Sequence, residues 1–76
     1  MHIMNLAQLQ LGQEAIIQHI DNQAVYLKLL DLGCIPGEKI KLAFIAPMGD
    51  PLAIQVAGST ISIRKVDAET VRIKRI

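Results

Sequence analysis

The sequence predicts a mostly β fold: about five short strands curled into a small barrel, with one α-helix between the first and second strands. Three observations predict it. One ten-residue stretch lacks glycine, proline and any β-branched run. The C-terminal half switches to an apolar/polar period of two. Turn residues recur at short intervals between the apolar runs.

The elements follow in order. In "QEAIIQHI", residues 13–20, Ala15, Ile17 and His19 share one side and Ile16 takes the other, as in a strand. "DN" at 21–22 supplies side-chain acceptors that can cap a helix. "QAVYLKLLDL", residues 23–32, then runs as a helix of almost three turns. Gly33 stands at the position after the helix, where a left-handed conformation is cheap for glycine. Ile35 is held extended by the following proline. Pro36 and Gly37 fit the two central positions of a type II turn.

Beyond the turn, Ile40, Leu42 and Phe44 alternate with Lys39 and Lys41, which puts Phe44 inward. "PMGDP", residues 47–51, is a turn, and Pro51 suits the first position of a strand. Leu52, Ile54 and Val56 point inward, as do Ile61 and Ile63 after "AGST". Residues 66–69 form one helical turn with Asp67 at its start. A last strand puts Val71 and Ile73 inward, Arg72 and Lys74 outward. Strands that are half apolar have one buried face, and a small sheet hides its edges best by curling.

Seventy-six residues are expected to form a single domain over 1–76. The formal charge of +1 sets up no strong field toward nucleic acid or an acidic membrane. Cys34 is the sole cysteine, so an internal disulfide is excluded. The first residues lack the basic and apolar regions of a signal peptide, and no run approaches the ~18 apolar residues of a membrane span. A cytoplasmic location is expected, without membrane insertion.

Residues 27–73, with the lead-in "LAQLQLGQEAII", resemble the FeoA family. The resemblance is carried by Leu29-Leu30, Leu32-Gly33 and Pro36-Gly37, then Ala46-Pro47-x-Gly49-Asp50-Pro51, then Arg64-Lys65 before Ala68. It implies an SH3-like barrel. It also implies a small cytosolic accessory protein of ferrous-iron uptake that works with the membrane GTPase-permease FeoB. The same module ends metal-dependent repressors of the diphtheria-toxin-repressor type. Here the chain begins almost at the barrel, which favours a standalone domain over a repressor.

The residues themselves offer little chemistry. His2 and His19 are the neutral-pH bases, and Cys34, Ser59 and Ser62 head the nucleophiles, none in a nucleophile elbow or phosphate loop. The glycines of 33–37 lack a following Lys-Ser/Thr, so they are a helix stop and a turn. The expectation is no enzyme, no cofactor and no metal site: His19 and Cys34 flank the helix, but two ligands do not make a site. The basic residues Lys39, Lys41, Arg64, Arg72, Lys74 and Arg75 lack the aromatic platforms of a single-strand binder, so no nucleic-acid partner is expected.

The helix is more informative. Val25, Leu29 and Leu32 make a stripe wide enough to pack on a barrel. Tyr26, Leu27 and Leu30 extend the apolar arc beyond what a surface helix needs. Either the surplus is wedged inside the domain or it docks on another protein or another copy. Under the docking reading, Tyr26, Leu27 and Leu30, with Gly33, Pro36 and Gly37 beside them, form the contact with the cytosolic GTPase portion of FeoB. A regulatory module acting with a transcription factor or nucleic acid is the alternative. Stimulation of GTP hydrolysis through Arg64 or Arg72 is a third reading.

Overall fold

A computed structural model describes residues 4–76. Six antiparallel strands form one sheet: β1 (Met4–Asn5), β2 (Glu14–Ile20), β3 (Lys39–Ile45), β4 (Leu52–Val56), β5 (Ser59–Ile63) and β6 (Val71–Arg75). Their spatial order is β1-β6-β2-β3-β4-β5. Helix α1 (Gln23–Leu30) links β2 to β3, and the one-turn α2 (Lys65–Ala68) links β5 to β6. A 3-10 turn over Leu6–Gln8 follows β1 and packs against α2. The turn after one edge strand thus meets the helix after the other, and this brings the ends of the curled sheet together.

The alternation holds where the strands are regular. Ala15, Ile17, Ile40, Leu42, Ile54, Val71 and Ile73 are all essentially inaccessible, and Leu52, Val56, Ile61 and Ile63 are buried with them. Burying each leucine, isoleucine or valine of this set stabilises the fold by ~1.5–3 kcal/mol.

Four details depart from the periodicity. The strands number six, because Met4 and Asn5 pair with Ile73 and Arg72 of β6. Two residues carry no readable period, and what holds them is the burial of Leu6 and Leu9 just behind. The helix therefore lies between the second and third strands. In β2 a register shift between Ile17 and His19 turns His19 out to solvent and Ile20 in. A second shift between Leu42 and Phe44 turns Phe44 out, leaving it 56% exposed. A bulge inserts one residue and so reverses the facing of everything beyond it. Finally, α2 starts at Lys65, not Val66, and Asp67 lies inside it.

The turns explain the connections. Asp50 reaches from the 47–51 turn to accept the backbone N–H of Lys65 (3.0 Å), which ties that turn to the start of α2. Pro51 directly precedes β4, and its carbonyl accepts from Ala46 N–H (3.1 Å).

Ala57 and Gly58 close the β4–β5 hairpin with φ of 50° and 81°. Positive φ at both central positions defines a type I′ turn, for which Asn-Gly is preferred. Alanine is a poor first residue there. Ala57→Asn is expected to stabilise the domain by about 0.5–1 kcal/mol, a rise of roughly 2–8 °C in Tm by thermal melting.

Candidate functional site: the apolar face of the helix and its turn

Helix α1 is started and stopped by local chemistry. Asn22 accepts the Val25 N–H through its side chain (3.1 Å) and the Tyr26 N–H through its carbonyl (2.9 Å), so the expected cap is present. Asp21 has another task. It accepts from Arg72 Nε (2.6 Å) and lies 3.4 Å from His19 Nε2, which joins the end of β2 to β6.

At the other end, Gly33 N–H bonds to the Leu30 carbonyl (3.1 Å) and Cys34 N–H to the Leu29 carbonyl (2.9 Å). These are the two bonds of a Schellman stop, with Gly33 at φ 78°. The regular α-helix ends at Leu30, two residues short of the sequence reading, because the last turn tightens: Asp31 keeps helical angles and Leu32 N–H bonds to the Leu29 carbonyl (3.0 Å). Leu32 falls in this tightened turn and is 49% exposed, so it is not part of the packed stripe.

The next turn has the expected type. Glu38 N–H bonds to the Ile35 carbonyl (3.0 Å) across Pro36 and Gly37, and Gly37 has φ 96°. Gly37 N–H also donates to the Ile17 carbonyl (2.8 Å), and Ile17 N–H to the Glu38 carbonyl (3.0 Å). The turn is thereby fixed on β2.

The two faces of α1 are now distinct. Val25 and Leu29 are buried and anchor the helix to the barrel. Leu27 and Leu30 are 52% and 43% exposed. Tyr26 is half-buried against the core, and with Pro36, His19, Ile20, Asp21 and Gln23 it lines a shallow groove of about 340 Å³. Of the residues singled out from sequence, Tyr26 and Pro36 come together in this groove. Leu27 and Leu30 are exposed on the same helix as Tyr26, and Gly33 and Gly37 are exposed in the turns that follow it. With Leu32, three exposed leucines fall within six residues.

A second exposed apolar group escaped the sequence reading: Phe44, Ile45 and Met48, the last 92% exposed. Met48 in a Pro/Gly turn was a readable signal; Phe44 was not, because parity hid the bulge.

A salt link steadies the helix from behind. Asp67, nearly buried on α2, accepts from Lys28 Nζ (3.2 Å) and Arg64 Nε (3.4 Å). Arg64 and Arg72, the two arginines considered for insertion into a GTPase, are thus held by Asp67 and Asp21. Lys39 likewise pairs with Glu14 (3.4 Å). Of the six basic residues considered for nucleic-acid contact, Lys39, Arg64 and Arg72 are paired with acidic neighbours.

His19 and Cys34 do not share a site. The His19 side chain is 71% exposed beside Asp21, and Cys34 is sealed in the core. Among the described residues no three His, Cys, Asp or Glu side chains converge. Burial, with the Glu38 carboxylate adding to it, pushes the Cys34 thiol up from 9.0 to about 11. The fold thus favours the neutral thiol. Below pH 9 it makes no difference to stability. Between about pH 9 and 11 the unfolded chain releases a proton that the folded chain keeps, so stability falls with rising pH, by ~1.4 kcal/mol per unit. Urea unfolding of wild type and Cys34→Ala should show this extra alkaline slope in the wild type alone.

Fold and surface together define a class: a small SH3-like barrel domain that offers apolar surface in place of assembled reactive groups. The comparisons with known proteins agree. The chain belongs to the FeoA domain family, whose model matches residues 4–75. The FeoA domain is a non-enzymatic accessory domain.

The chain is 31% identical to FeoA from Chlorobium tepidum, whose solution structure superposes with a TM-score of 0.90 over 96% of this chain and 70% of that one. It is 28% identical to Stenotrophomonas maltophilia FeoA, an SH3 domain protein crystallised with zinc, with a TM-score of 0.80 over 93% and 89% of the two chains. A Porphyromonas gingivalis protein in which Fe(2+) transport protein A is fused to the Fe(2+) transporter FeoB is 28% identical over 96% of this chain. The chain spans 9% of that fusion protein's length.

Proposed function

We propose that this chain is a cytosolic accessory protein of ferrous-iron uptake that binds FeoB through the exposed face of α1. The leading support is the run Leu27, Leu30 and Leu32, apolar side chains left in water by a helix already anchored through Val25 and Leu29. Apolar residues grouped on one surface mark interaction sites. The Tyr26–Pro36 groove beside them would take a further side chain of the partner. The fusion in the Porphyromonas gingivalis relative supports the choice of partner, because there the two proteins are one polypeptide.

The contact falls on the cytosolic GTPase portion of FeoB. No helix among the described residues is long and apolar enough to cross a membrane. The role is positional: this domain binds, and the transporter hydrolyses GTP and moves iron. The test is binding of the purified chain to full-length FeoB of the same organism in lipid nanodiscs, with and without guanine nucleotide. Saturable binding supports the proposal, and its absence in both nucleotide conditions overturns it.

A further inference from the structure

The sheet has two edges, β1 and β5, and they are unequal. Strand β1 is two residues long and offers little to pair with. Strand β5, "STISI", is five residues long and contains no proline and no charge. None of the usual protections of an edge strand is built into it.

The orientation of its backbone follows from the register. The two-residue turn at Ala57-Gly58 makes Val56 and Ser59 a hydrogen-bonded pair, and every second pair after it is likewise bonded: Ile54 with Ile61, Leu52 with Ile63. The N–H and C=O groups of Thr60 and Ser62 therefore point away from β4. Among the described residues no backbone partner meets them on that side, and both residues are exposed.

We infer that β5 is a homodimerisation edge, on which two copies of this chain pair antiparallel about a two-fold axis at Ile61. In that register Thr60 of each copy faces Ser62 of the other. About four backbone hydrogen bonds form, and all of them use groups otherwise left to water. The outward side chains brought together are hydroxyls, a favourable cross-strand combination. No like charges meet, because the nearest charge, Arg64, falls opposite Gly58 of the other copy. The isologous arrangement closes after two copies. Ile61 and Ile63 already face the barrel core, so pairing buries little new apolar surface. The contact stays below the ~1,000 Å² of stable interfaces, so the dimer is weak and forms only at high protein concentration.

Sedimentation equilibrium of the full chain from about 20 µM to 2 mM tests this, together with amide exchange at the two ends of that range. The expected result is a monomer–dimer equilibrium, with exchange at Thr60 and Ser62 slowing as concentration rises. Ser62→Pro should abolish dimerisation without unfolding the monomer, since the N–H it removes faces solvent. Ser62→Lys does the same by charge if the proline variant fails to fold. A chain that stays monomeric to 2 mM overturns the inference. So does a dimer that survives both substitutions, which would place the contact elsewhere, such as on α1.

Discussion

Leu27→Glu/Leu30→Glu is expected to remain folded and to lose binding to FeoB by at least ~30-fold. The two leucines are half in water, so the monomer gives up little when they become polar. Exposed substitutions of this kind usually shift stability by less than ~0.5 kcal/mol. Glutamate is nearly as good a helix former as leucine. Its charge near the helix C-terminus costs a few tenths of a kcal/mol more. In an interface the balance reverses. Truncating an apolar anchor costs about 1 kcal/mol or more, and here a carboxylate must also be dehydrated against the partner. Two such losses exceed ~2 kcal/mol, or roughly 30-fold in Kd. Circular dichroism checks the fold, and titration onto nanodisc-held FeoB checks the affinity. Undiminished binding would remove α1 from the interface and make Phe44, Ile45 and Met48 the next surface to test.

Leu29→Ala is expected to have the opposite profile. Leu29 is buried at the junction of helix and barrel, where its removal loses transfer free energy and leaves a cavity. The cost is ~2–5 kcal/mol. A domain of this size has on the order of 4–11 kcal/mol in total, so this variant loses a large share of its stability and unfolds at a much lower urea concentration. Leu30→Ala, one position on, should change stability by no more than ~0.5 kcal/mol. Urea midpoints of the pair give a direct reading of which face of α1 is inward. Equal costs would mean that the helix is wedged on both sides, and the docking proposal would lose its surface.

Much of this molecule was legible from residue order because it depends on neighbours along the chain. The Asn22 cap, the Schellman stop at Gly33 and the type II turn at Pro36-Gly37 each involve residues within six positions of one another. The same is true of the alternation in β4, β5 and β6, where each inward residue is two from the next. The family resemblance rested on those same turn residues, and the family model confirmed it.

Most of the failures have one physical source. His19 and Phe44 were assigned inward by parity, and both lie beyond a bulge. A bulge is imposed by the partner strand, which must curve to close the barrel, and nothing in the local sequence announces it. Leu32 was assigned to the packed stripe by 3.6-residue spacing, and it lies exposed in the tighter last turn of the helix. The β1 pairing was invisible because it depends on β6, nearly seventy residues away.

The candidate surface divides along the same line. That α1 carries more apolar residues than one packing face requires is a property of the residue order, readable from 3.6-residue spacing alone. Which of those residues meet water was settled by where the barrel wall stands: it covers Val25 and Leu29 and leaves Leu27 and Leu30 outside. Covalent spacing governs what is near in sequence, whereas exposure is a competition among all segments for one small interior, and that competition has an outcome only once the whole sheet has closed.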